Sequence, residues 1–253
     1  METTTVGFFK DGFFGYSESV NFYMGSKWHI LPILFMIITI FLIYKFRNQI
    51  KNFKYESTIR YLLAFVMMIV EMSYFWRLLY VGSQGTDTNM MGYLPLQMCQ
   101  WGLILCIFTI ISKNKKLFTI NFFVTLLFAS IALAYPIVIE YTGPRYYRYY
   151  QFWLEHILPI ISVFYLMFVH KLKPSYMGVY YTFIAISPLV LASTIANHYI
   201  KGANYLYLRL KVPILPEGQI YRIPILIIVV CILFNIMYFI FHIIDNRKKT
   251  SIS

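Results

Sequence analysis

Charge is what this chain has least of. Only 13% of its 253 residues are charged and 59% are hydrophobic, whereas a soluble domain carries about a quarter charged residues. Several apolar runs approach or exceed the roughly 18 residues that cross a bilayer. A soluble globular domain is excluded, and the chain reads as a polytopic membrane protein. Acidic residues are the scarcest of the charged set: 10 Asp and Glu stand against 22 Lys and Arg, for a net charge of +12. In a soluble protein that excess would suggest nucleic acid. Here the basic residues fall mostly between apolar runs, and no basic tract is long enough for a nucleic-acid footprint. They act as topology signals and contacts to anionic lipid head groups. Cysteine is also scarce. Cys99, Cys106 and Cys231 all lie in apolar segments, and none belongs to a CxxC or similar pattern. An odd number gives no disulfide framework, and no metal or soluble cofactor is expected. Sequons, lipidation motifs, internal repeats and low-complexity stretches are lacking as well. The first 18 residues include Asp11 and Glu18 and have no long apolar core. No cleavable signal peptide is expected, and the first span is expected to direct insertion.

What is there is a succession of apolar segments. The pattern predicts an all-α bundle of seven transmembrane helices in one domain, residues 1–253. The expected spans are 28–46, 60–81, 93–112, 117–139, 151–170, 176–200 and 223–244. The aromatic stretch "YYRYYQFW" before the fifth reads as an interfacial belt, because Tyr and Trp favour that depth. With the N-terminus outside, thirteen basic residues fall inside: Lys45, Arg47, Lys51, Lys54, Arg60, Lys113, Lys115, Lys116, Lys171, Lys173, Arg247, Lys248 and Lys249. Eight fall outside: Lys10, Lys27, Arg145, Arg148, Lys201, Arg209, Lys211 and Arg222. The bias favours N-out and C-in, with the last external loop, which holds four of the eight, as its blemish. The cell membrane is the expected location.

An ionisable group inside a bilayer is costly and is a functional candidate by default. The segments contain Glu71 and Arg77 in the second span, Glu155 and His156 in the fifth, and His198 at the end of the sixth. Cys99 opens the third span within "LPLQMCQW", between Gln97 and Gln100. Asn197 and Asn204 flank the last external turn. At 1.5 Å per residue, Cys99 lies about 9 Å and His156 about 7–8 Å beneath the same surface. Each residue also has an ordinary reading. A membrane cysteine commonly fills space, His156 can bond a carbonyl at the interface, and Arg148 can anchor a head group. Glu71 and Arg77 are six apart, not the three or four that face each other on a helix, so each can pair elsewhere. The chemical reading is that a thiolate needs a base to form in an apolar setting, and an imidazole can take that proton. Gln97, Gln100, Arg148 or Asn204 would then supply oxyanion donors.

"LPLQMCQW" resembles the "LPLxxC" segment of the YwaF family of bacterial membrane proteins, which is related to eukaryotic transmembrane protein 164. "RYYQFWLEH" at 148–156 resembles that family's Arg-to-His aromatic segment. "NHYIKGANYLYL" at 197–208 resembles its Asn–Gly–Asn–Tyr–Leu segment. The matches keep order and spacing from about residue 60 to 212, and Glu71 matches a glutamate of the second span. The resemblance implies seven helices. For the eukaryotic branch it implies acyl transfer between phospholipids through a cysteine acyl-enzyme. It places Cys99 as nucleophile and His156 as the accompanying histidine; the candidate substrate-binding residues are Glu71, Arg77, Gln97, Arg148, Gln151, Asn197, Asn204 and Tyr205. Gln97 stands where the family often has His, and "PEGQIYRIPIL" replaces an Asp- and Trp-rich segment.

The expected function is therefore a membrane-embedded lipid acyltransferase with a Cys99–His156 pair near the outer leaflet. Its partners are membrane lipids, with no nucleic acid. The alternative is a non-enzymatic lipid- or solute-binding transport protein in which Glu71, Arg77 and His156 line a pathway. Against that alternative stand the lack of a repeat and spans that read as unbroken. A structural subunit of a larger membrane complex is a third class.

Overall fold

The computed structural model describes residues 13–14, 23–83, 94–136, 143–200, 203–208 and 219–250. The helices are α1 (Lys27–Lys45), α2 (Arg47–Lys51), α3 (Glu56–Ser83), α4 (Met98–Ser112), α5 (Lys115–Val124), α6 (Ser130–Ala134), α7 (Tyr147–Phe168), α8 (Met177–Tyr199) and α9 (Gln219–Thr250). A π turn at Thr125–Ala129 joins α5 to α6, so Lys115–Ala134 runs as one span. A 3₁₀ turn occupies Tyr205–Tyr207. The fold is all-helical, and six of its helical segments are long and apolar enough to cross a membrane. The chain is thus a multi-pass membrane protein.

The helix α7 is the axis. In its span 72% of residues are buried, against 6% in α1 and in α9, although its hydropathy is the lowest of the six. Lipid is as apolar as leucine, so a membrane bundle turns its polar segments inward and its purely apolar ones outward. Around α7 pack α1, α3 and α4; α5 bridges α4 to α8, and α9 lies against α8. The shared core includes Met67, Leu103, Cys106, Phe118, Phe123, Leu166 and Phe234.

At one end of the bundle Arg60 is buried, and its Nη1 donates to the Ile110 and Ile111 carbonyls at 2.6 and 2.9 Å. These are open carbonyls of the last turn of α4, where a cation also suits the helix dipole. Glu56 holds the guanidinium at 3.1 Å and takes hydrogen bonds from Tyr165 and from His170, the latter at 2.8 Å. The next turn closes with Lys113 left-handed at φ 53°, and Asn114 Oδ1 accepts the Lys116 and Leu117 N–H groups that begin α5.

Three expectations need correction. The third span was expected as helix from residue 93, but helix begins only at Met98, and Leu94–Gln97 is non-helical. Pro95 explains this: it has no N–H to give, and it pushes the residue before it toward extended backbone. At 15 residues, α4 is about 22 Å long, short of the roughly 30 Å hydrocarbon core. Second, the fifth span begins at Tyr147 instead of 151, and its aromatic start is packed into the bundle. Tyr149, Phe152 and Trp153 are buried against α1, with the Tyr149 hydroxyl donating to the Trp28 carbonyl at 2.7 Å. Third, the spans are not unbroken, since the π turn interrupts the fourth. Residue 93, residues 137–139 of the expected fourth span, and the loop at 84–92 lie outside the described residues.

Candidate functional site

The site starts from two non-helical segments at the opposite end from Arg60. Backbone at membrane depth is tolerated only where other protein groups satisfy its hydrogen bonds, and here they do. The Leu94 N–H donates to the Tyr205 hydroxyl at 2.7 Å, and the Leu96 carbonyl accepts from Ser193 Oγ at 3.1 Å. The Pro95 carbonyl accepts from Trp101 Nε1 at 2.9 Å. On the facing segment, Asn197 spends both ends of its amide on one residue. Its Oδ1 accepts the Tyr205 N–H at 2.7 Å, and its Nδ2 donates to the Tyr205 carbonyl at 2.9 Å. Gln97 Oε1 accepts the Leu206 N–H at 3.1 Å and so joins the two segments. Leu206 and Tyr207 are both left-handed, at φ 56° and 54°. Each costs about 1–2 kcal/mol for an L-residue, and the Asn197 and Gln97 bonds hold them there. Gln97, Asn197 and Tyr205, drawn from sequence as lipid-binding groups, thus carry the joint between segments. Asn204 precedes Tyr205 in the same segment and is partly exposed.

This joint places Cys99 at the second position of α4, whose first turn is capped by Gln100 Oε1 accepting the Gln97 N–H at 3.3 Å. Cys99 is partly exposed, and its thiol lies 3.9 Å from the Phe128 carbonyl of the π turn. Cys106 is wholly buried, with its thiol 3.8 Å from the Pro159 carbonyl, and is a packing residue.

Beside Cys99 lies a buried polar layer shared by α3, α4 and α7. Arg148, Gln151 and Glu155 are spaced three and four apart, so they stack along one face. Arg148 donates to Gln151, Gln151 Nε2 donates to Glu155 Oε2 at 2.8 Å, and Arg148 Nη1 lies 3.6 Å from that oxygen. The guanidinium also sits 4.7 Å above the ring of Tyr74 on α3, a cation–π contact. From α3, Glu71 Oε1 accepts from Gln100 Nε2 at 3.0 Å. Its other oxygen is buried and has no hydrogen-bond partner among the described residues. Glu155, Arg148 and Glu71 all lie within electrostatic reach of Cys99, and Tyr207 lies within reach of Cys99 and Arg148.

His156 is buried, and its Nδ1 is 2.7 Å from the Phe152 carbonyl. A carbonyl only accepts, so Nδ1 carries a proton and, in the neutral ring, Nε2 is the basic nitrogen. Glu155 is occupied by Arg148 and Gln151 and does not orient the imidazole. No hydrogen bond joins Cys99 to His156 among the described residues. Arg77 lies at the rim, with its Nε donating to the Phe14 carbonyl at 3.0 Å. Because α7 begins at Tyr147, His156 is about 14 Å into its helix, deeper than the expected 7–8 Å.

Sequence reasoning set Cys99, His156, Arg77, Asn197 and Asn204 at one depth and Glu71 deeper, whereas the electrostatic neighbours of Cys99 in the structure are Glu155, Arg148 and Glu71. It noted Glu155 as an intramembrane charge but left it out of the candidate site, and it did not find Tyr74 or Tyr207. The spacing Arg148–Gln151–Glu155 was the available signal for the first. Nothing signalled Tyr207, which depends on a left-handed turn that bulky residues seldom adopt.

No curated protein and no solved structure matches the chain. The sequence pattern of one family does match, over residues 23–238, and that stretch contains every helix that builds the polar layer. By that match the chain belongs to the TMEM164 family.

Proposed function

We propose that the protein is a lipid acyltransferase of the cell membrane that works through an acyl-enzyme on Cys99. The observation that carries this reading is the position of Cys99: a partly exposed residue in the first turn of a helix that begins only after a non-helical segment. The first N–H groups of a helix have no intrahelical acceptors, and their positive end favours both a thiolate and the oxyanion of an attacked ester.

In the mechanism the thiol turns from the Phe128 carbonyl toward His156. Nε2 takes the proton, and the thiolate sulfur attacks the carbonyl carbon of a phospholipid ester. The tetrahedral oxyanion collapses, the C–O bond to glycerol breaks, and the alkoxide takes the proton from His156. An acyl thioester remains on Cys99. An acceptor hydroxyl then gives its proton to His156 and attacks the thioester, and Cys99 leaves as thiolate. The N–H groups of Met98 and Cys99 serve as oxyanion donors in both steps. The basic residues at the Arg60 end favour an inside location for that end, and in this reading Cys99 works on the outer-leaflet side.

The test is mass spectrometry of the purified protein after incubation with phospholipids, with and without hydroxylamine. The expected result is a hydroxylamine-labile acyl adduct on Cys99 that is lost in Cys99→Ser. Folded wild-type protein that takes no adduct from a range of phospholipids would move the assignment to non-enzymatic lipid binding.

A further inference from the structure

The polar layer beside Cys99 has an unbalanced charge. Two carboxylates, Glu71 and Glu155, face one guanidinium, Arg148. Among the described residues, none of the remaining ionisable neighbours is paired with Glu71. Cys99 can only add negative charge, His156 lends its Nδ1 proton to a backbone carbonyl, and Arg77 turns to the Phe14 carbonyl at the rim. An uncompensated charge in a buried site costs several kcal/mol, and such groups neutralise instead.

The geometry says which carboxyl is neutral. Glu155 has Arg148 at 3.6 Å and a hydrogen bond from Gln151 at 2.8 Å on the same oxygen, Oε2. Glu71 has a single neutral donor, Gln100, on Oε1. The residue is only 6% exposed, and Oε2 has no partner among the described residues. An ionised oxygen left so would be the costliest atom in the layer. A protonated one is a hydrogen-bond donor waiting for an acceptor.

We propose that Glu71 is a neutral carboxylic acid in the resting protein and that its Oε2–H donates to the ester carbonyl oxygen of the bound lipid. The assignment rests on the acyltransferase reading for the identity of the acceptor, but not for the proton. Gln100 orients the acid by fixing Oε1. The same Gln100 caps the first turn of α4 through the Gln97 N–H, so the acid and the helix N-terminus are set by one side chain. A neutral Glu71 also removes a negative charge that would oppose a thiolate on Cys99. No proton moves through Glu71; it only polarises the carbonyl.

Two measurements test this. Infrared spectra of wild-type protein in nanodiscs should show a protonated-carboxyl stretch that Glu71→Gln removes and Glu155→Gln leaves. A wild-type spectrum without that band, or a band that disappears with Glu155→Gln, overturns the proposal. Glutamine mimics a neutral acid, since it offers an acceptor to Gln100 and donors on the other side. In the Cys99 acylation assay Glu71→Gln should therefore stay within about tenfold of wild type, whereas Glu71→Ala should lose roughly 10²–10³-fold. Equal losses in the two variants, with both folded by thermal unfolding, would overturn it. If wild type forms no acyl adduct, the ester as acceptor falls with the acyltransferase reading, and the infrared band still decides the proton.

Discussion

Asn197→Ala offers the sharpest test of how the chain holds non-helical backbone inside a membrane. The side chain is fully buried, and it bonds the N–H and C=O of Tyr205 at 2.7 and 2.9 Å. Truncation takes the Asn197 acceptor from the Tyr205 N–H, while the Tyr205 C=O keeps the Leu208 N–H at 3.3 Å. A buried group that loses its partner costs about 1–3 kcal/mol, and here that cost falls on the N–H. Membrane double-mutant cycles average nearer 0.6 kcal/mol per bond, which sets a floor of about 1 kcal/mol. At about 2–4 °C per kcal/mol for a chain of this size, the unfolding midpoint in detergent should fall by several degrees. The damage should also spread, because the Tyr205 hydroxyl receives the Leu94 N–H and Gln97 receives the Leu206 N–H. Residues 94–97 and 203–208 should both gain sensitivity to limited proteolysis in the variant. Tyr205→Phe removes the Leu94 bond and keeps both Asn197 bonds, so it should cost less, and the double variant should cost less than the sum. An Asn197→Ala protein with an unchanged midpoint and proteolysis pattern would refute the reasoning. If it also bound lipid poorly, Asn197 would be a ligand group and not a joint.

Two further predictions concern the other end of the bundle. A Cβ on Gly178 would lie 1.8 Å from Thr119 Cγ2 and 3.2 Å from Phe123 Cε2. Gly178→Ala should therefore destabilise by about 1–3 kcal/mol. Adding Thr119→Ser, which removes Cγ2 but keeps the hydroxyl that donates to the Lys115 carbonyl at 2.8 Å, should recover most of the loss in the same thermal assay. Arg60→Met leaves Glu56 as a buried carboxylate without its guanidinium, for about 3–5 kcal/mol. The double variant Glu56→Gln with Arg60→Met should be more stable than Arg60→Met alone, and the opposite order would show that the pair is not what matters there.

Much of the fold is legible because bilayer thickness sets helix length. The expected starts and ends of α1 and α8 fall within a residue of the observed ones, since a long apolar run bounded by Lys27 and Lys45, or by Tyr176 and Ile200, has few alternatives. What sequence does not show is which faces meet. A soluble helix announces its inner face by an apolar stripe, whereas α1 and α9 are apolar all round and face lipid. For α7 the polar residues are themselves the inward signal, and Arg148, Gln151 and Glu155 could have been read as one face. That Glu71 meets Gln100, and not Arg77 or Arg148, needed coordinates. So did the π turn, because "TLLFA" differs in nothing from the helix around it. Pro95 was the visible warning that the third span would not begin as helix.

That non-helical beginning is the feature around which the rest of the site makes sense. A helix running through residues 93–112 would have spent the N–H groups of Met98 and Cys99 on carbonyls one turn earlier, and Cys99 would have been one more side chain on a cylinder. Replacing the first turns by Leu94–Gln97 moves a helix N-terminus into the membrane. It also leaves open backbone groups there, which lipid cannot satisfy. Tyr205, Ser193, Trp101 and Gln97 answer that need, and their partner segment is strained at Leu206 and Tyr207 to reach them. Strain of this kind persists only where surrounding bonds over-determine it. A chain that merely needed to cross the bilayer would gain nothing from the arrangement, because four more helical residues would span the same depth with every backbone group satisfied. The break in α4 is best accounted for by what it exposes: a positive helix end with a thiol at its second position, facing a layer that holds Glu71, Glu155 and Arg148.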